Sequence, residues 1–230
     1  MSSSRNSASF DVRGHFERQA AGWELRLKPK GSMAGRPQQF VGLLREFAPR
    51  SGHILDFGCG TGEITLACKT AGFNARGADC ARGMIERARV RFTSMNLEFD
   101  LLPEASPTVL PYEDATFDGV VASSVLEYVM EPAEVLRELR RVCRPGGVLI
   151  MSVPDMRHPR RWIEEAARPI LKLIDGGGLG RLSLYCDYVR ISRNRSSARK
   201  WKETLESTGW APPLLRRTGS SLMVLVATAH

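Results

Sequence analysis

Glycines at positions 58, 60 and 62, within the run LDFGCGTG at 55–62, allow a backbone to turn tightly and to approach a bound group closely. The residues before them, 53–57, suit a short strand and residues 63–71 suit a helix. The glycines therefore stand at a helix N-terminus, whose free N–H groups favour a polar ligand. Asp79 ends the next strand pattern at about the 20-residue offset where a carboxylate takes ribose hydroxyls, so a nucleoside-containing cofactor is expected. Asp56, two residues before the first glycine, sets the pattern apart from the dinucleotide one. A carboxylate under the loop repels a pyrophosphate and suits an ammonium group.

These residues need a frame, and the hydrophobic patterning supplies one. Residues 10–27 read as a helix, and residues 38–47 as a second, amphipathic helix ended by Pro49 and Gly52. Strand patterns follow at 53–57, 74–79, 97–101, 117–122 and 148–153, alternating with helices at 63–71, 82–92 and 132–142. The last helix is the clearest: Pro132 opens it, Val135, Leu139 and Val142 share one face, and Arg144-Pro-Gly-Gly stops it. Such alternation predicts βαβ units, a parallel sheet and helices on both faces. Beyond residue 154 the rhythm changes to a helix at 162–174, a GGGLG break at 176–180, the segment YCDYVRISRNR and a helix at 196–208. Strands at 212–216 and 221–228 suit a terminal hairpin.

Composition bounds the reading. The chain has 230 residues, 43% hydrophobic and 25% charged, enough for one well-cored domain with appendages. It carries no apolar run long enough to span a bilayer, and its first residues lack the apolar stretch of a secretory signal, so a cytoplasmic protein is expected. Five cysteines without a CxxC pair or Cys/His cluster argue against a disulfide framework or a zinc site. The net charge of +8 is unevenly placed: +5 over residues 1–54, −4 over 55–154 and +7 over 155–230. An acidic core between basic ends places recognition at the ends.

Taken with the glycine loop, LPYEDATFDGVVASSVLEYV at 110–129 and VLRELRRVCRPGGVLIMSVP at 135–154 carry a resemblance. The chain resembles a class I, Rossmann-like S-adenosylmethionine-dependent methyltransferase of the ubiquinone/menaquinone-methyltransferase-like (type 11) group, over residues 50–154 above all. The resemblance implies a seven-stranded, mostly parallel sheet with an antiparallel C-terminal strand. It also implies a helical N-terminal cap (1–49), a cofactor-binding core (50–154), a helical insert or lid after strand five (155–210) and a strand pair completing the sheet (211–230).

Carried over residue by residue, the resemblance implies that Asp56, Gly58, Cys59 and Gly60 line the methionine end of S-adenosylmethionine, and that Asp79 accepts both ribose hydroxyls. Cys80 and Met84 would flank the adenine or its ribose, and Ala122 and Ser123 would offer backbone groups to the methionine portion. The stretch EFDLLPEASPTVLPY is longer than the family pattern and leaves Asp100 and Glu104 competing for the adenine; the offset from Phe99 favours Glu104. Ser124, Glu127 and Tyr128 stand where related quinone O-methyltransferases carry two acidic residues and a histidine, so no metal is expected.

A sulfonium methyl is strongly electrophilic, so the enzyme must chiefly align a nucleophile, exclude water and sometimes remove a proton. Candidates for the last task are His15, His158 and Tyr128, with Tyr185 and Tyr188 beside them; for Phe16, Trp23 and Trp162, helical spacing makes core packing the expected use. The expected acceptor is a small-molecule hydroxyl, anionic if Arg157, Arg160, Arg161, Arg190, Arg193 and Arg195 rim the mouth, and partly hydrophobic if the apolar insert covers it. Alternatives are an RNA acceptor, against which the 7% aromatic content weighs, and a noncatalytic scaffold. The short apolar stretch around Ile170 also suits a membrane surface.

Overall fold

The computed structural model describes residues 12–26, 33–103, 109–173, 181–217 and 221–230, with the backbone path alone for 171–173, 181–184 and 217. Glu104 and the GGGLG break lie outside the described residues. Seven strands form one sheet in the order β3-β2-β1-β4-β5-β7-β6. They are β1 (His53–Phe57), β2 (Asn74–Asp79), β3 (Glu98–Leu101), β4 (Phe117–Ser123), β5 (Cys143–Pro154), β6 (Leu214–Arg217) and β7 (Leu222–Thr228). Strands β1 to β5 are mutually parallel; β7 lies antiparallel between β5 and β6. The order of strand succession reverses between β1 and β4, and such a switch point opens a crevice at the carboxyl ends of the strands.

Alternation along the strands divides the core into two faces. Leu55, Phe57, Val120, Ala122, Leu149, Met151 and Leu225 point to the side covered by α5 (Pro132–Val142) and α8 (Ala198–Glu206), where Val135, Leu136, Leu139, Trp201 and Leu205 pack. Ile54, Val121, Val148, Ile150 and Val226 point the other way, onto Phe40, Val41 and Leu44 of α2 (Arg36–Phe47) and Ile64 and Cys68 of α3 (Glu63–Thr70). Burying each such Val, Leu, Ile, Met or Phe side chain contributes about 1.5–3 kcal/mol. Phe99 of β3 packs on Ile85, Ala88 and Phe92 from α4 (Arg82–Arg91) and its end.

The expected fold class is what the chain adopts. Boundaries shift where backbone chemistry intervenes. The first helix is shorter than expected: α1 (Val12–Gln19) ends before Gly22, whose φ of 87° breaks it, and a 3-10 turn follows at Trp23–Arg26. Strand β5 starts at Cys143 rather than 148, because its pairing with β4 slips between Phe117 and Gly119 and absorbs the Pro-Gly-Gly. Residues 159–173 and 181–191 form α6 (Pro159–Leu173) and α7 (Arg181–Ile191).

Candidate active site

The glycine loop joins β1 to α3 with φ values of 71° at Gly58, 55° at Gly60 and 86° at Gly62, a region that side chains resist. Space is short as well. A Cβ on Gly62 would lie 2.7 Å from the Phe99 ring, and one on Gly58 would collide with Val125. Gly58 and Cys59 donate their N–H groups to the Ala78 carbonyl, tying the loop to the end of β2. Asp79, next along β2, accepts from Gly60 N (2.9 Å) and Ala81 N (2.8 Å), so loop and carboxylate form one rigid corner. Burial raises the Asp79 carboxyl above its usual range, while backbone N–H donors oppose the shift.

Asp56 is buried beneath the loop, 1% exposed. Its Oδ2 accepts from the Thr65 hydroxyl at 2.6 Å, whereas Oδ1 is buried without a partner. Burial pushes this carboxyl up to about 7, against the pull of Thr65. An orphaned acidic oxygen under a glycine-rich loop offers negative charge to a cationic ligand group. The Ser123 hydroxyl, at the end of β4, is a second buried polar atom without a partner.

A cavity of about 1320 Å³ opens over these groups. Gly58, Cys59, Gly60, Asp79, Cys80, Met84 and Ser123 lie on its wall, whereas Asp56 and Ala122, both buried, do not line it. Asp100 does not reach the wall: Tyr112 donates its hydroxyl to Asp100 at 2.7 Å, and Arg76 lies 3.6 Å away. The N-terminal elements form a second side. Glu17 accepts from the N–H groups of Arg82 and Gly83 at the start of α4 (2.6 and 2.7 Å), and Glu24 pairs with Arg87 at 3.0 Å. Trp23 thereby lies over Gly60, its Nε1 3.1 Å from where a Cβ would stand. Phe16 meets both Trp23 and Tyr128 edge-on, at 5.6 and 5.2 Å. Phe16 and Trp23 line the cavity and also pack against the buried cluster of Ala20, Ala81 and Met84, whereas Trp162 is 64% exposed and departs from the expected core packing.

Of the three proposed bases, His15 and Tyr128 reach the cavity and His158 does not. His15 is 4% exposed, hydrogen-bonded through Nε2 to Gln19, and burial lowers it to about 4, so its ring is neutral at pH 7. Tyr128 is held well above its usual range by burial and by neighbouring Glu127. His158 instead uses Nδ1 to accept from Arg160 N at 3.3 Å, at the start of α6.

Glu127, which the sequence offered only as a departure from the metal-associated pattern of the quinone O-methyltransferases, lines the far wall. It is 1% exposed and accepts from Ser192 Oγ (2.9 Å) and Tyr188 (3.3 Å). Its carboxyl is raised by burial, opposed by Ser192, Arg161 and Arg195. These partners lie 61 to 65 residues away in sequence, a separation no local pattern reports.

The expected arginine rim is only partly a rim. Arg160, Arg161 and Arg193 line the cavity, but Arg161 also turns inward to Glu164 (2.6 Å) and Tyr188 (2.6 Å). Arg195 is buried against Glu164 at 2.8 Å, and Arg190 faces Asp187 at 3.6 Å. Arg157 lies off the wall. Among the described cations that line the cavity, Arg26, Arg36 and Arg193 have no carboxylate ion pair: Arg26 hydrogen-bonds to Gln19, Arg36 lies 3.3 Å from Ser124 Oγ, Arg193 meets the Met130 sulfur, and burial lowers the guanidiniums of Arg26 and Arg36.

Residues 55–151 match the family model described as a methyltransferase domain. A demethylmenaquinone methyltransferase from Clavibacter sepedonicus is 35% identical over 143 residues, 58% of this chain and 57% of that protein. Methyltransferase GfsG from Streptomyces halstedii is 40% identical over 109 residues, 44% of this chain and 38% of that one. The chain thus spans little more than half the length of the first of these relatives and less of the second. The fold resembles that of the PH0226 protein from Pyrococcus horikoshii OT3, with a TM-score of 0.65 and 22% identity over 89% of this chain and 93% of that one. The core is a class I, Rossmann-like methyltransferase domain. It is similar to the ubiquinone/menaquinone methyltransferases, and the family model and fold imply S-adenosylmethionine as cofactor.

Proposed function

We propose that the protein transfers a methyl group from S-adenosylmethionine, in line, to a hydroxyl oxygen of a small metabolite or natural product. One observation carries the reading. The glycine loop and Asp79 share a single cavity with a hydroxyl-bearing wall of Tyr128, Tyr185 and Tyr188. Its volume of about 1320 Å³ exceeds the roughly 300–1,000 Å³ of a one-ligand pocket, leaving room for an acceptor beside the cofactor.

When bound, S-adenosylmethionine supplies an electrophilic methyl on a sulfonium sulfur, and S-adenosylhomocysteine is the product. Asp79 holds the ribose hydroxyls, Cys80 and Met84 flank the adenosine, and the backbone of Gly58, Cys59, Gly60, Ala122 and Ser123 surrounds the methionine. The free oxygen of Asp56 supports an ammonium group from beneath the loop. The adenine-side carboxylate is assigned to Glu104, since Asp100 is engaged by Tyr112 and Arg76. Arg26 and Arg36 meet negative charge, either the methionine carboxylate or an acidic group of the acceptor.

Tyr128 orients the acceptor hydroxyl. As the new O–C bond forms, the acceptor proton passes to the Tyr128 oxygen and the Tyr128 proton to the Glu127 carboxylate, which burial has made more basic. His15 closes the cavity as a neutral ring, and His158 has no part. Tyr128→Phe is expected to lower kcat about 100-fold while leaving S-adenosylhomocysteine affinity within twofold. The reaction is tested by incubating the protein with methyl-labelled cofactor, hydroxylated small molecules and RNA. Label in the low-mass pool is the expected result. Label in RNA would replace the acceptor class, and bound cofactor with no transfer would leave a scaffold.

A further inference from the structure

Helix α6 is built inside out. Its inward face carries charge: Arg161, 3% exposed, pairs with Glu164, 1% exposed, at 2.6 Å. Glu164 also receives Arg195 (2.8 Å) and the Tyr185 hydroxyl (2.9 Å), and Arg168 donates to the Ser192 carbonyl at 3.0 Å. The polar face is therefore paired largely within the fold, with Arg168 Nε and Arg195 Nη2 left without a partner. The outward face is Pro159, Trp162, Ile163, Ala166, Pro169 and Ile170, at the three- and four-residue steps of one helical stripe, and all six are exposed. Trp162, Ile163 and Ile170 are 64%, 70% and 65% exposed. The Trp162 indole is fixed in place, its Nε1 donating to the Met156 carbonyl at 2.9 Å. A water-facing helix ordinarily shows the opposite arrangement.

We propose that this stripe docks the protein on an anionic phospholipid surface. Two observations choose that occupant. Exposed Arg157 and Arg160 stand at the N-terminal end of the stripe, and residues 155–230 carry a net +7, so an apolar strip adjoins cations as in helices that lie in the bilayer interface. A second copy of the chain would set +8 against +8, and a nucleic acid would leave the tryptophan and isoleucines without an apolar layer. Arg160 also lines the cavity, so docking brings the cavity mouth to the lipid surface, where a partly hydrophobic acceptor is concentrated. The binding stands apart from methyl transfer and is read without it. No described helix is long and apolar enough to cross a membrane, consistent with a surface contact.

The test is sedimentation of the full chain with vesicles of phosphatidylcholine, alone or with about 30 mol % phosphatidylglycerol. The expected result is binding to the anionic vesicles, weakened about fivefold by Arg157→Ala at low salt. Ile163→Asp with Ile170→Asp should weaken it tenfold or more. A blue shift of tryptophan emission on binding should disappear in Trp162→Phe. Circular dichroism checks the fold of the aspartate variant; if it fails to fold, Ile163→Ser with Ile170→Ser reads the same loss. A wild-type chain that stays in the supernatant with every vesicle overturns the proposal, as does undiminished binding by the folded double variant. A wild-type dimer in light scattering that the double variant dissolves assigns the stripe to a second copy, and also overturns it.

Discussion

At the scale of single residues, two carboxylates separated by one strand pairing have different work, and each makes a prediction. Asp79 sits at the cavity wall with its geometry fixed by Gly60 and Ala81. Asp79→Ala is expected to weaken S-adenosylhomocysteine binding at least tenfold with the fold intact; equal affinity in calorimetry would remove the ribose role. Asp56 titrates near 7 in the ligand-free fold against 3.8 for an ordinary Asp. Between those values the folded chain holds a proton the unfolded chain lacks, so this group's stabilisation is present below about 3.8 and lost as pH rises through about 7. Asp56→Asn should therefore melt higher than the parent at pH 8 without ligand. An ammonium group requires the ionised form, so cofactor affinity should fall as pH drops below 7 in the parent and stay flat and weaker in the variant. Both carboxylates were legible from spacing to the glycines, because a tight loop fixes its neighbours locally. Glu127 was not, because its meaning depends on Ser192 and Tyr188, brought in by a different part of the chain.

At the scale of elements, the same distinction recurs. The limits of β1, β2 and α5 could be read to the residue, since proline, glycine and alternation mark them in the local text. The orientation of α6 could not: Arg161, Glu164 and Arg168 look solvent-facing until α7 and Arg195 supply partners, and the arginine rim was misread for that reason. Helix α1 offers a test of docking. His15, on its buried face, is lowered to about 4 from 6.5, first by burial and then by Arg18 and Arg26, with Asp187 opposing. The undocked ring takes up a proton as pH falls through 6.5 while the docked ring does not, so docking is full above that pH and lost progressively toward 4. The loss amounts to at most about 3 kcal/mol. Limited proteolysis should cut near α1 faster at pH 5 than at pH 7, and His15→Gln should flatten that difference.

At the scale of the whole molecule, cofactor binding should be felt as stability. S-adenosylhomocysteine at 100 times its Kd adds about 2.7 kcal/mol, which for a chain of this size raises Tm by roughly 5–10 °C; no shift at saturation would sink the cofactor assignment. Sheet order carries a different consequence. Strand β7 follows β6 in the chain yet lies between β5 and β6. Seven consecutive residues of β5, from Val148 to Pro154, pair with it, five of them apolar. During synthesis, every other strand emerges before the one that fills this gap. The nascent chain must therefore carry an open, sticky β5 edge and an unattached β6 until the final strand arrives. Folding yield in the cell is then governed by how quickly that last strand finds its slot, before a neighbouring polypeptide does.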